Sequence, residues 1–311
     1  MYGTHAMFNL FDNKDISIHL DFNFTEESNV FKGIKKLSIS GAQEKYSAVI
    51  DNGIIRIASE GEQGTHILKP APVYPFQYRS QMPANEYLTM QIANEIYGIE
   101  TAKCGICYTT DNKPVFITER FDIVDGKKIM QEDFASILRK ISNTGNDNYK
   151  YEGSYFDIAQ AMAEVVQGKE DALLKFLKLV IFNYLFANGD AHLKNFSVLY
   201  INGIAKLAPA YDLVNTGLHV NDEDFALSNG LGDSIEKSEV YLRTGHPCKE
   251  DFLNFSDTIG IERTKGLEII KQFEFLDDSI LKYIESSDLD EKPRRIYKSI
   301  IIERHKRYIR Q

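Results

Sequence analysis

Ala187-Asn-Gly-Asp190-Ala-His192-Leu-Lys194-Asn195-Phe196 sets a carboxylate five positions ahead of an amide, at the end of an apolar run and just before a hairpin. Phosphoryl transfer needs such a pair: a carboxylate to accept the proton of the attacking hydroxyl, and an oxygen donor to hold Mg2+ against the phosphates. The same spacing suits a helix cap followed by a turn, so the segment has to be read with its surroundings. Phe196-Ser-Val-Leu-Tyr200 alternates in strand fashion, Asn202-Gly203 supplies a turn with positive φ, and Ile204 to Leu207 returns. The returning strand runs into Pro209-Ala-Tyr211-Asp212-Leu. Hairpin closure carries Asp212 back beside Asn195, so that Asp190, Asn195 and Asp212 converge without any long-range assumption.

Upstream, the chain reads as short strands broken by turns: Ile16 to Phe22, Tyr46 to Ile50, Ile54 to Ala58, Thr65 to Leu68, Ile106 to Tyr108 and Val115 to Glu119. Asp51-Asn52-Gly53 fits a tight hairpin. One helix is inserted, from Pro83, at home in a first helical position, to Gly98, suited to a C-terminal cap. Lys69 ends the strand Thr65-His-Ile-Leu-Lys69, and Glu86 lies on a helical stripe with Met90, Ala93 and Tyr97. A carboxylate on that covered face needs a partner, and Lys69 is the best candidate. A strand lysine positioned by a helix glutamate is the pair that kinases set on the phosphates. Leu37 to Lys45 places Gly41 among small residues between two strand-like runs, where backbone N–H groups can approach phosphate oxygens. It is not a G-x-x-x-x-G-K-[ST] loop. Thr118-Glu119-Arg120-Phe121-Asp122 lies where strands give way to helices, a place for a hinge that offers backbone hydrogen bonds to adenine.

From about Gln131 the periodicity predicts helices over 131–141, 154–166, 170–187, 249–260, 263–285 and 291–310, and Asn143 to Gly153 reads as a loop. The expected organisation is a strand-rich part, 1–130, and a helical part, 131–311. With 36 Lys plus Arg against 45 Asp plus Glu, the net charge of −9 disfavours holding duplex DNA by bulk charge. Three cysteines make no disulfide framework and point to a reducing compartment, by default the cytoplasm. Cys104-Gly-Ile-Cys107 reads as ordinary strand, since only Cys248 remains to complete a thiolate zinc site. No secretory signal is expected, and Leu173 to Ala187 is too short to span a bilayer of about 30 Å. The basic positions from Lys292 to Arg310 read as a solvated helix face.

In order along the chain stand SISGAQEK at 38–45, THILK at 65–69, NE at 85 and 86, TERFD at 118–122, QEDF at 131–134, NGDAHLKNFSVL at 188–199 and PAYDL at 209–213. This ordered set resembles HipA-type serine/threonine toxin kinases. The resemblance implies an α+β, two-lobed protein-kinase-like fold with a strand-rich N-lobe and a mainly helical C-lobe. It also implies ATP and Mg2+ as cofactors and a translation-related protein, of the aminoacyl-tRNA synthetase class, as phosphate acceptor. Carried over by motif, Asp190 would be the catalytic base, Asn195 and Asp212 the metal ligands, and Lys69, held by Glu86, a phosphate contact. Glu119, Arg120 and Phe121 would form the adenine hinge. Ser40, Gly41, Ala42, Gln43, Glu44 and Lys45, with His192, Lys194 and Tyr211, would complete the nucleotide site, and Gln131 would reach the ribose side.

Ser38 and Ser40 match the serines that the family autophosphorylates. A phosphate there adds about −1.5 to −2 charge beside those of ATP and is expected to lower activity. With the loop beginning near residue 38, the chain is similar to the short HipT branch, in which a separate small HipS-like antitoxin stands in for an N-terminal subdomain. A HipB-like DNA-binding antitoxin would then carry the DNA contact, and no membrane partner is expected. Two other functions use the same residues: a nucleotide-binding regulator that does no chemistry and acts through antitoxin and DNA complexes, and a lipid or small-molecule kinase.

Overall fold

The computed structural model describes residues 10–11, 16–24, 43–140 and 147–311; Ser38, Ser40, Gly41 and Ala42 of the predicted phosphate loop lie outside them. Five antiparallel strands, β1 (Tyr46–Asp51), β2 (Ile54–Ile57), β3 (His66–Lys69), β4 (Cys104–Tyr108) and β5 (Pro114–Glu119), form a sheet in the order β2-β1-β3-β5-β4. The β1–β2 turn places Asn52 at φ 49° and Gly53 at φ 79°, the left-handed pair that matches strand twist. Side chains alternate between the sheet faces. Ile106 and Phe116 enter the main core, while Cys107, Val115 and Ile117 join Ala48, Ile55, Leu68 and Leu20 in a second, smaller one. Burial pushes the Cys104 and Cys107 thiols up to about 12, in keeping with plain strand residues.

Helix α1 (Met82–Gln91), with Pro83 in its first turn, packs on β4 and β5. It ends in a wider turn, Ile92–Ile96, where the Tyr97 N–H reaches the Ile92 carbonyl at 3.3 Å, and Gly98 at φ 58° stops it. Beyond the sheet come two-residue strands β6 (Ile123–Val124) and β7 (Lys127–Lys128), then β8 (Met130–Asp133) and a single helical turn, α2 (Phe134–Ile137). Helix α3 (Tyr155–Val165) opens on a capping box between Ser154 and Asp157, and α4 (Lys169–Leu185) is buried at every position from Leu179 to its end. Strands β9 (Ser197–Ile201) and β10 (Ile204–Leu207) make the predicted hairpin. Helices α5 (Glu239–Thr244), α6 (Lys249–Thr258), α7 (Arg263–Lys271), α8 (Asp278–Glu285) and α9 (Glu291–Tyr308) complete the described chain. Tyr97 stacks on Phe273 at 4.5 Å and meets Phe182 edge-on at 5.7 Å, so the end of α1 is anchored in the helical core. No described helix is long and apolar enough to cross a membrane.

Four expectations need correction. The predicted helix 131–141 is mostly strand: β8 pairs with β9, Gln131 opposite Leu199 and Asp133 opposite Ser197, and only Phe134–Ile137 is helical, capped by the Asp133 carboxylate at 2.8 Å from the Ser136 N–H. Cross-strand pairing overrides the helix propensity of Met, Gln and Glu. The predicted helix 263–285 is two helices, because the Asp277 carboxylate caps a new start by accepting the Ser279 N–H at 2.7 Å. Ile16 to Phe22 makes one bridge, His19 to Tyr108, rather than a full strand. On α9, Arg304 is not solvated but buried against Asp224, which Arg307 also approaches.

Candidate active site

The segment after α4 is clamped from behind. Ala187, at φ 50°, accepts the Thr216 N–H at 3.0 Å and its hydroxyl at 2.9 Å, and that hydroxyl accepts the Gly189 N–H at 2.8 Å. A Cβ on Gly189 would stand 2.4 Å from Cγ of Asp222, so only glycine fits between the two segments. The chain then makes the turn Leu193–Asn195, and the Asn195 Oδ1 accepts the His192 N–H at 3.0 Å. That bond fixes the amide, leaving Nδ2 at 3.4 Å from the Asp212 carboxylate. Asp212 sits at φ 55°, a left-handed backbone uncommon outside glycine and typical of residues held by their surroundings at functional sites.

Around Asp212 the predicted charges meet. Lys69 Nζ lies 2.6 Å from Glu86 Oε1 and also bonds Asp212 Oδ1, and Lys45 Nζ is 3.3 Å from Asp212 Oδ2. Lys69 and Glu86 are 4 % and 2 % exposed, so neither is solvated enough to stand alone, and Lys69 also lies over the Phe116 ring. Burial alone would lower the Lys69 ammonium, but the carboxylates of Asp212 and Glu86 outweigh it and hold it above the usual lysine range. Burial alone would raise the Asp212 carboxyl, yet Lys45 and Lys69 hold it well below the usual carboxylate range. At Glu86, burial raises the carboxyl and Lys69 only partly offsets this.

Asp212 supplies a carboxylate, hard oxygen chemistry that suits Mg2+ when substrate phosphates supply further ligands, whereas the Asn195 amide presents Nδ2 to it and would turn its Oδ1 inward to hold the same ion. Among the described residues no group of three His, Cys, Asp or Glu side chains forms a metal cage of its own. In contact with phosphates, Mg2+ would neutralise their charge.

Gln43, Lys45, Lys69, Glu86, Asp190, Asn195 and Asp212 line one narrow recess. It adjoins a cleft of about 870 Å3, large enough for a nucleotide, which Lys45, Arg120, Gln131, His192, Lys194, Asn195, Tyr211 and Asp212 share. On the cleft wall a chain of donors runs from Gln131 Nε2 to Ser197 Oγ at 3.1 Å, on to the Tyr211 hydroxyl at 2.5 Å, and from there to the Lys194 carbonyl at 2.7 Å. Burial raises the Tyr211 phenol, keeping it protonated as that chain requires. At the predicted hinge, Glu119 and Arg120 spend their N–H groups on the Lys103 and Thr65 carbonyls, each at 2.9 Å. Phe121 packs against Tyr211 at 5.3 Å, and its neighbours Arg120 and Asp122 line the cleft. Two predicted contacts face elsewhere: Glu44 accepts from the Tyr46 hydroxyl at 2.5 Å beside a separate cavity, and the Glu119 side chain pairs with Lys103 at 3.4 Å.

Burial pushes His192 down to about 4, so it enters the site as a neutral imidazole. Sequence reading missed Ser197, Lys150 and Tyr151. Lys150 lines the cleft, its Nζ lies 5.3 Å from the centre of the Tyr151 ring, and the Tyr151 hydroxyl donates to Asp190 Oδ1. Ser197 sits inside the quoted 188–199 motif but carries no assigned role there, and no motif announces Lys150 and Tyr151, because 143–153 carries no periodicity and reads as loop.

The sequence profile of the HipA-like C-terminal domain matches residues 37–279. The chain belongs to this family. Within it, a Haemophilus influenzae protein named "Putative kinase" is 29 % identical over 279 residues, 84 % of this chain and 79 % of its own. "Putative kinase Y4mE" of Sinorhizobium fredii is 35 % identical over 188 residues, 58 % of this chain and 43 % of its own. The serine/threonine-protein kinase toxin HipA of Shewanella oneidensis is 25 % identical over 229 residues, 68 % of this chain and 50 % of its own. The chain thus spans half or less of the length of the last two. In three dimensions it superimposes on Shewanella oneidensis HipA, solved with HipB and operator DNA, with a TM-score of 0.67 at 21 % identity, covering 90 % of this chain and 67 % of that one. It superimposes on the Helicobacter pylori proinflammatory kinase CtkA with a TM-score of 0.55 at 15 % identity, covering 84 % and 90 %. The predicted α+β, two-lobed kinase-like fold is the fold of this HipA-like chain.

Proposed function

We propose that this chain is an ATP- and Mg2+-dependent serine/threonine protein kinase that acts as the toxin of a toxin–antitoxin system. The observation that carries the reading is the buried Lys69–Glu86 pair ending on Asp212, with Asn195 and Asp190 lining the same recess. Residues 1–130 would form the N-lobe and 131–311 the C-lobe, with the nucleotide in the cleft between Arg120 and Tyr211. Lys69 and Lys45, now on Asp212, would turn their charge to the phosphate oxygens. Asp190 would hold the acceptor hydroxyl and take its proton as that oxygen bonds to the γ-phosphorus. The bond from that phosphorus to the β-phosphate oxygen breaks, and ADP leaves. A neutral His192 beside Asp190 leaves that carboxylate free of a competing cation from the imidazole.

Family membership supports a serine in a translation protein, an aminoacyl-tRNA synthetase, as acceptor, and HipS-like and HipB-like antitoxins as partners, the latter making the DNA contact. It likewise supports Ser38 and Ser40 as autophosphorylated positions that restrain activity when modified, and action in the cytoplasm. Phosphoproteomics after induction, comparing the natural chain with Asp190→Asn, tests the reading. The expected result is one or a few phosphoserines that depend on Asp190 and lie on translation proteins; identical phosphoproteomes would reject it.

A further inference from the structure

We infer that Tyr151 is a positioning residue for Asp190, fixing one carboxylate oxygen so that the other faces the acceptor hydroxyl. The inference rests on the reading of Asp190 as the base. A carboxylate that must take a proton along one direction gains from having its rotation stopped, because a small misplacement of a reacting group costs orders of magnitude in rate. The Asp190 main chain is fixed where its carbonyl accepts the His192 N–H at 2.8 Å, and the Tyr151 hydroxyl, donating to Oδ1, adds a constraint on the carboxylate itself.

Tyr151 is itself braced. Its ring meets His192 edge-on at 5.2 Å, and the Lys150 ammonium lies 5.3 Å from its centre on the cleft side. His192 is 3 % exposed and Lys150 8 %, so both contacts belong to the interior and not to a solvated flap. The turn that carries the pair, Asp147–Tyr151, is held in turn by the Ser228 N–H, which donates to the Tyr151 carbonyl at 2.8 Å. A phenol is well suited to this place: it offers one donor on a rigid ring and no charge to compete for the acceptor's proton.

The test uses the full chain, γ-labelled ATP, and a tagged Asp190→Asn copy of the chain as phosphate acceptor. Tyr151→Phe keeps the ring contacts and removes the hydroxyl. Losing one hydrogen bond to a charged group is expected to lower kcat about 10- to 100-fold with KM for ATP unchanged. Installing 3-fluorotyrosine at 151, which keeps ring and donor, is expected to restore kcat. A Tyr151→Phe chain with unchanged or raised kcat, or a loss that 3-fluorotyrosine at 151 fails to restore, overturns the positioning role while the kinase reading stands. No label transfer by the natural chain overturns both.

Discussion

Replacing Lys69 with Met removes the buried cation that joins Glu86 to Asp212. In the natural chain Lys45, Lys69, Glu86 and Asp212 sum to zero charge, with Glu86 only 2 % exposed. Without Lys69, Glu86 has lost its ion-pair partner in a dry site, a change that costs about 3–5 kcal/mol. For a chain of this length each kcal/mol moves Tm by roughly 2 °C, so the expected fall is about 6–10 °C. The carboxyl can escape part of that cost by taking a proton. A buried acid whose folded pKa is raised binds more protons folded than unfolded, so stability falls as pH rises from its unfolded value through its folded one. The Tm gap between Lys69→Met and the natural chain is therefore expected to be wider at pH 8 than at pH 5. Adding Glu86→Gln should recover part of the loss at pH 8. Thermal unfolding followed by circular dichroism at the two pH values is the assay. A Tm within about 1 °C of the natural chain at pH 8, or a gap independent of pH, would refute the argument that these groups form one charge-balanced unit.

Further outcomes are expected. Asp212→Asn, which takes away the carboxylate proposed to hold Mg2+ and the anchor of Lys45 and Lys69, should cut calorimetric affinity for ADP in the presence of Mg2+ far more than in its absence. Gly189→Ala drives a methyl into the stem of the Asp222 side chain and should cost about 1–3 kcal/mol in denaturant unfolding, together with label transfer, since Asp190 is the next residue. His219 is pushed down to about 4 by burial, with Nδ1 donating to the Gln77 carbonyl and Nε2 accepting from Asn85, both at 2.8 Å, an arrangement open only to the neutral ring. Its contribution is fully present above its unfolded value near 6.5 and is lost as pH falls toward 4, so Tm should drop over that window and His219→Gln should flatten the drop.

Much of the site was legible because its parts are local. Asp190, Asn195 and Asp212 are joined by one hairpin whose turn residues are plain in the sequence, and the covered helix stripe carrying Glu86 demanded a cation that Lys69 supplies. Asn85 shows the limit: it reads only as a motif letter, yet in the fold it binds the Asn215 backbone in both directions, at 2.8 and 3.1 Å, and so ties α1 to the segment that follows Asp212. Gln131 lines the cleft from a strand and not from the predicted helix, since a four-residue strand beside a helical turn has no period long enough to read. Tyr151 was invisible for a related reason. Its role depends on a contact 39 residues away in sequence, made from a turn with no repeating pattern. Arg304 was misread because charge on a helix face is normally solvated, whereas here Asp224 draws it inward.

On the proposed function, the groups gathered at Asp212 transfer a phosphoryl group from ATP to a hydroxyl. Incubating the purified natural chain, Asp190→Asn and Asp212→Asn with γ-labelled ATP and Mg2+, then hydrolysing the protein and separating the phosphoamino acids, measures it directly. Label on serine or threonine with the natural chain, and none with either variant, is the expected result. Equal label in all three, or none in any while ADP binds, would contradict it.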